Sequence, residues 1–345
     1  MKTMALKPGK WGLLCIVALI AALLFSGLLR AKEIPPDEVT VSTPTYVPGK
    51  DGFDPKLGQY HYKASWNGIP AGTVTLTLAR RGDNYHIAAS AKTASFIDIF
   101  YKLRFRTEAV LSARTFQPKR SIYVTKANSR KKQTQMAFSA DGKISSVRES
   151  RGNIQAYNFK PDNFTLDPFS AAFLALSLDW EVGQSRQFDT FNGKSRYLIE
   201  LTAVEKTRIT VRGVPREAIV ISPTVTNLTD SDPSDKLHAA KIYIATDRSR
   251  EILRLISDLF IGSIKTNMVS YTAAVSEKPG KARLAAAPAA VQGEWEMMGV
   301  PAFFTLGRNA LSRWCEQGLL KIAPLCPDLG AMKFGFNNRI VVPDF

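Results

Sequence analysis

Ten basic residues crowd the stretch 102–132: Lys102, Arg104, Arg106, Arg114, Lys119, Arg120, Lys126, Arg130, Lys131 and Lys132, against a single acid, Glu108. Lys102, Arg104 and Arg106 recur at every second position, the spacing that places side chains on one face of a β-strand. Cations at that pitch suit the phosphate or carboxylate groups of a lipid headgroup or an acidic polymer. The same pattern also serves as a solvated face that discourages strand edges from pairing with a second chain. Nine of the ten, all but Arg114, form the candidate patch for an anionic partner.

Other chemistry is sparse. The three histidines are His61, His86 and His238. Alternation places His61 with Lys63 and Ser65, and His86 with Ala88 and Ser90, away from the apolar face in both cases. Zinc asks for three or four ligands, and no cysteine or carboxylate cluster accompanies these histidines. Neither a Gly-x-Ser-x-Gly elbow nor a His-Glu-x-x-His helix occurs. Asp230, Asp232 and Asp235 offer oxygen atoms to a calcium ion, but the loop lacks the central glycine and terminal glutamate of the common calcium loop, so it reads as a solvated acidic turn. Cys315 and Cys326 are spaced to form a disulfide in an oxidising compartment, or to stand as two unpaired small core residues. These residues give no basis for a catalytic, metal or cofactor site, and the expectation is a protein that is not an enzyme.

The elements that must position the basic patch begin with an N-terminal segment, 1–32. Residues 11–29 are uncharged and long enough to cross a bilayer, and Lys2, Lys7 and Lys10 precede them. Either a cleaved signal or a retained inner-membrane anchor fits, and both export the remainder to a bacterial periplasm. The formal net charge is +16, and about +11 remains on the exported part. Export makes nucleic acid an improbable partner and turns attention to anionic lipid or envelope polymers.

Residues 33–58, rich in proline and glycine, read as an extended linker. From residue 59 to 275 short alternating segments recur. Tyr60, Tyr62, Ala64 and Trp66 share one face, as do Val74, Leu76 and Leu78, around a Gly-Ile-Pro-Ala-Gly corner. Tyr101, Leu103, Phe105 and Thr107 oppose the basic row of 102–106. Hairpin signals stand at Asp141-Gly142 and Asn192-Gly193. Some fourteen or fifteen strands are expected, with 195–204 and 207–213 as separate ones. The rhythm breaks once, at Asp167-Pro168 and the apolar run after it, where Asp is a good N-cap and Pro suits the first turn. A helix apolar nearly all round must be buried. The whole reads as a mostly β fold, a strongly curved antiparallel sheet or barrel with a central buried helix. Residues 276–292 read as a second linker. The extension 293–345 carries one amphipathic helix, a possible place for a protein partner.

Several short motifs mark a resemblance. They are Trp66-Asn67-Gly68-Ile69-Pro70-Ala71-Gly72, Arg81-Gly82-Asp83-Asn84-Tyr85, Asp167-Pro168, Asn192-Gly193-Lys194 before Tyr197, and Lys241-Ile-Tyr-Ile with Asp247, Arg250 and Gly262-Ser-Ile. Over about residues 58–273 the chain resembles the exported bacterial family catalogued as domain of unknown function 3108. That resemblance implies an envelope protein with a curved β fold and implies no activity.

The functional expectation is a non-catalytic envelope protein that binds an amphipathic or anionic molecule. Tyr62, Trp66, Leu76, Tyr101 and Phe105 would form an inward apolar face for acyl chains, and the basic patch would meet the headgroup. The alternative is a structural or assembly partner of an envelope complex. A glycan-acting enzyme ranks below both, because few carboxylates fall at inward positions.

Overall fold

The structure, a computed structural model, describes residues 34–49, 51–229, 240–259 and 262–274. The N-terminal apolar segment, the Asp230–Asp235 loop, Cys315, Cys326 and the extension 293–345 lie outside the described residues.

Eight strands precede the helix expected at Asp167: β1 Gly58–Trp66, β2 Ile69–Arg81, β3 Asn84–Thr93, β4 Leu103–Ser112, β5 Pro118–Ala127, β6 Arg130–Phe138, β7 Ile144–Ser150 and β8 Asn153–Phe159. Six follow it: β9 Ser185–Phe191, β10 Arg196–Val211, β11 Val214–Asn227, β12 Ala240–Ala245, β13 Ile252–Leu259 and β14 Gly262–Ala273. A four-residue helix, α1, spans Ser95–Asp98, and α2 spans Pro168–Ser177. All fourteen strands form one sheet in the order β8-β7-β6-β5-β4-β3-β2-β1-β14-β13-β12-β11-β10-β9. Every neighbouring pair is antiparallel, and β1 joins the two halves by pairing with β14.

The sheet is open, so of the two expected forms the curved sheet holds and the closed barrel does not: β8 and β9 are edges that do not pair with each other. They are nevertheless brought together by curvature. Phe191 packs edge-on against Phe159 at 5.1 Å and Tyr157 at 6.3 Å. Ser146 donates a hydrogen bond to the Gly193 carbonyl at 2.8 Å. The outer edge of β9 is covered by residues leading into α2, through a parallel bridge between Leu166 and Thr190. Covering the edge in this way removes a template for unwanted strand pairing.

α2 forms for the reasons the residue types supply. Asp167 accepts hydrogen bonds from the Phe169 and Ser170 amides, satisfying free helix donors, and Pro168 occupies the first turn. Its apolar residues fill the concave side of the sheet. Phe173 meets Phe53, Tyr85 and Phe116 with centroids 4.8–5.2 Å away, and Phe169 stacks on Tyr123. Burying one such ring contributes roughly 1.5–3 kcal/mol.

Three local expectations differ from the structure. Residues 195–204 and 207–213 are one long strand, β10, because a bulge between Ala203 and Glu205 absorbs the break in rhythm and lets pairing with β11 continue. Tyr101 precedes β4 and belongs to the turn after α1, where its amide donates to the Ile97 carbonyl at 2.8 Å. The described residues of 34–57 contain no strand or helix, but they do not run free as a linker. Arg196 donates to the Pro36 and Val39 carbonyls, Asn163 binds Val41, the Tyr46 hydroxyl accepts from the Gln187 amide, and Phe53 is buried in the core. Proline-rich backbone lacks donors, and its carbonyls are met here by side chains of the β domain.

Candidate functional site

Side-chain alternation sorts the basic residues of 102–132 into separate groups. Phe105, Leu103 and Tyr123 are buried on the concave side, so Arg104 and Lys126 point to the convex side. The register then builds a row that no single segment contains. Lys63 on β1 opposes Thr73 on β2, which opposes Lys92 on β3. Lys92 opposes Arg104 on β4, Arg104 opposes Lys126 on β5, and Lys126 opposes Lys131 on β6. Five cations therefore lie side by side across six strands, a span of about 24 Å at the usual strand spacing. Like charges placed opposite each other on neighbouring strands are destabilising.

Arg104 is held in place. Its guanidinium makes two bonds to the Asp98 carboxylate, at 2.6 and 3.0 Å, and a third to the Thr93 hydroxyl at 3.2 Å. The hydrogen bond from Arg104 keeps the Asp98 carboxyl below its ordinary range. Asp98 sits on α1, so this pair fixes α1 against the end of β4. Lys102 and Arg130 are exposed at the same end of the sheet, and the Lys102 amide donates to the Asn128 side chain at 2.9 Å.

At the β6 end the row opens into a groove of about 610 Å³. Its walls are Ser129, Arg130, Lys131, Gln133, Glu149, Arg151 and Gly152, from the β5–β6 and β7–β8 turns and their strands. Three basic side chains and one acid give it a net positive lining. A groove of this size admits a phosphorylated sugar or headgroup.

The remaining expected patch residues are elsewhere. Arg106 is convex but buried, one rung along from Arg104. Lys119 and Arg120 are exposed near the far end of β5, about 20 Å from Lys126 at the usual strand rise. Lys132 has the parity of Thr134 and Met136, which are buried inside, so it points inward. Burial and the nearby Arg148 pull its ammonium down to about pKa 7. Lys63 and Lys92 were missed by reading 102–132 alone. They lie 39 and 10 residues before Lys102, and only strand pairing makes them neighbours.

The expected acyl-chain face is part of the packed core. Tyr62 and Phe105 are buried, and Trp66, Leu76 and Tyr101 pack partly buried against the same cluster. The concavity is occupied by α2 and by Phe53.

The ionisable groups inside serve structure. Asp189 and Arg196 form an ion pair at 2.5 Å, almost wholly buried, with Thr165 donating to the same carboxylate. Burial raises the Asp167 carboxyl despite its four hydrogen-bond donors, and Tyr123 is one of them at 3.1 Å. His61 is bonded to Thr75 and Gln59, whereas His86 lies opposite Ala79 and Val110 further along the sheet, so the two histidines do not meet. Among the described residues no group of three His, Cys, Asp or Glu side chains could hold a metal ion. The arrangement supports multivalent anion binding.

No curated protein matches the sequence. Residues 61–269 match the family described as protein of unknown function (DUF3108). Among solved structures, a β-barrel-like protein of the DUF1849 domain of unknown function from Brucella abortus is 9% identical, with TM-score 0.46, covering 64% of this chain and 99% of its own. A candidate exported protein with a YmcC-like fold from Bacteroides fragilis is 8% identical, with TM-score 0.30, covering 66% of this chain and 100% of its own.

Proposed function

This chain belongs to the DUF3108 family of proteins of unknown function, and we propose that it works by binding, as a non-catalytic protein of the bacterial cell envelope. Its ligand is an anionic envelope molecule, a phosphorylated glycolipid headgroup or acidic glycan, held on the convex row Lys63, Lys92, Arg104, Lys126 and Lys131 and in the adjoining groove. The row itself carries this reading. Five cations share one register on the convex face, Arg104 among them already paired with Asp98, and a polyanion laid across the row meets this concentration of positive charge. The compartment follows from the uncharged run 11–29 behind three lysines, which exports the domain whether the run is cleaved or retained. Because the concave side is packed, the headgroup and not the acyl chain makes the main contact.

Native mass spectrometry of the full chain, purified at low salt from its own envelope, tests this. The wild-type protein should carry an anionic envelope molecule, and a Lys92→Glu, Lys126→Glu variant that folds normally should not. A wild-type protein that carries none, or a variant that retains it, overturns the proposal.

A further inference from the structure

We propose that one end of the sheet, bearing Ile69, Phe96, Ile99 and Phe100, docks on an anionic lipid bilayer. This end adjoins the convex row and shares Lys63 and Lys126 with it at its rim, but it names a different partner: the membrane itself.

α1 displays the apolar side chains outward. Ile97 is buried and anchors the helix, while Phe96, Ile99 and Phe100 are 53%, 75% and 73% exposed. Phe96 and Phe100 touch edge to face at 5.8 Å and so present a joined aromatic surface to solvent. Ile69, 48% exposed, starts β2 in the adjacent turn, and the Ala94 amide just before α1 bonds to the Ala71 carbonyl. Exposed aromatic and aliphatic side chains at loop tips suit the headgroup–acyl boundary of a bilayer.

Charge chooses the kind of bilayer. Lys63, Lys102 and Arg130 are exposed around this end, and Lys126 is half-buried beside them. The one carboxylate within α1, Asp98, is already bonded to Arg104. Asp258 is exposed at the same end, near the end of β13, but the cations outnumber it, and an apolar tip with a net basic rim complements anionic headgroups.

The path of the chain places the membrane at this same end. Register puts the ends of β1, β3, β5 and β11 together at one end of the sheet. The Ile34 amide bonds to the Thr229 carbonyl just beyond β11, so the segment containing the apolar run 11–29 joins the domain there. A run inserted in a bilayer five residues before Ile34 keeps this end close to the lipid surface. The C-terminal residues leave from the opposite end, where Ala273 pairs with Gly58. They also carry slightly more basic than acidic residues, a poor complement to a basic rim.

The test uses the full chain with Cys15→Ser, Cys315→Ser and Cys326→Ser, spin-labelled at either Ile99→Cys or Val214→Cys. Val214 is exposed at the β10–β11 turn, at the far end of the sheet. Each protein is reconstituted into phosphatidylcholine bilayers with or without phosphatidylglycerol, and relaxation by oxygen and by a water-soluble nickel chelate is compared. With phosphatidylglycerol, the label at 99 should be open to oxygen and shielded from nickel, whereas the label at 214 should be open to nickel throughout. Adding Lys102→Glu and Arg130→Glu should weaken docking by about fivefold for each lost attraction. Nickel access at 99 equal to that at 214 in anionic bilayers overturns the proposal. So does shielding that persists in detergent without phospholipid or in phosphatidylcholine alone, since the chain would then cover its own patch. Shielding that grows with protein density overturns it in favour of a second copy. The lipids here are purified, so failure of this test leaves the ligand of the convex row unaffected, and the reverse also holds.

Discussion

Arg104 and Lys126 stand directly opposite each other on neighbouring strands with both side chains on the convex face. Lys126 has a second cation, Lys131, on its other side. Arg104 is committed to Asp98. Lys126 is therefore the position where charge reversal separates stability from binding. Lys126→Glu should stabilise the fold by about 0.2–1 kcal/mol in a low-salt urea titration, and the gain should shrink as salt rises. The same variant should bind an anionic glycolipid more weakly. A loss of stability at low salt would show that the row is not under repulsion.

Arg196 and Asp189 supply a second prediction. Arg196→Met leaves the Asp189 carboxylate buried with its charge partner gone, and should cost about 3–5 kcal/mol. It also removes the donor that holds the Pro36 and Val39 carbonyls. Amide exchange at residues 37–41 should accelerate by more than the global loss of stability explains. Unchanged protection there would mean that other contacts fasten the segment.

Asp167 gives a pH dependence of defined sign. Burial raises its folded carboxyl above the ordinary 3.8, so the stability it contributes is complete below that value and is lost as pH rises through the folded value. Asp167→Asn keeps an oxygen for the Phe169 amide and the Tyr123 hydroxyl and cannot ionise. Relative to the wild type, the variant should gain about 1.4 kcal/mol per pH unit over that window and level off above it. A wild-type-to-variant difference that is flat between pH 4 and pH 7 would contradict this assignment.

Lys132 behaves in the complementary way. Its folded ammonium gives up its proton near pH 7, whereas in the unfolded chain it holds the proton to about 10.5. The unfolded state then binds more protons between those values, so wild-type stability rises with pH across the interval. Lys132→Met should be more stable than the wild type at pH 6, by about 1–3 kcal/mol, and the advantage should shrink by pH 10. Thermal or urea unfolding at the two pH values reads this directly.

Gly193 tests how the roll is held. Its φ is +90°, and a β-carbon there would run into the Thr134 methyl on β6. Gly213 has φ +78° with nothing nearby. Gly193→Ala carries backbone strain and a steric clash, Gly213→Ala only the strain. The first should cost more than the second, with the common part about 1–2 kcal/mol. Equal costs would show that the β9–β10 turn moves away from β6 easily.

Much of this protein is decided locally and was legible in its residues. Period-two alternation put Tyr62 and Phe105 inside and Arg104 outside, because successive side chains on a strand point to opposite faces. Asp167-Pro168 announced α2 because the cap and first-turn requirements are met by adjacent residues. The apolar circumference of α2 announced its burial. Strand neighbours are another matter. Lys63, Lys92 and Arg104 form a row because hydrogen-bond ladders align β1 to β4 in one register, a non-local choice that no segment carries alone. The extended rise of β5 itself keeps Lys119 and Arg120 about 20 Å from Lys126. The apolar face that alternation offered to a ligand belongs to the same core cluster as Phe173 of α2 and Phe53 of a segment expected to be a linker. Alternation states which way a side chain points, and only the tertiary fold states what it meets there.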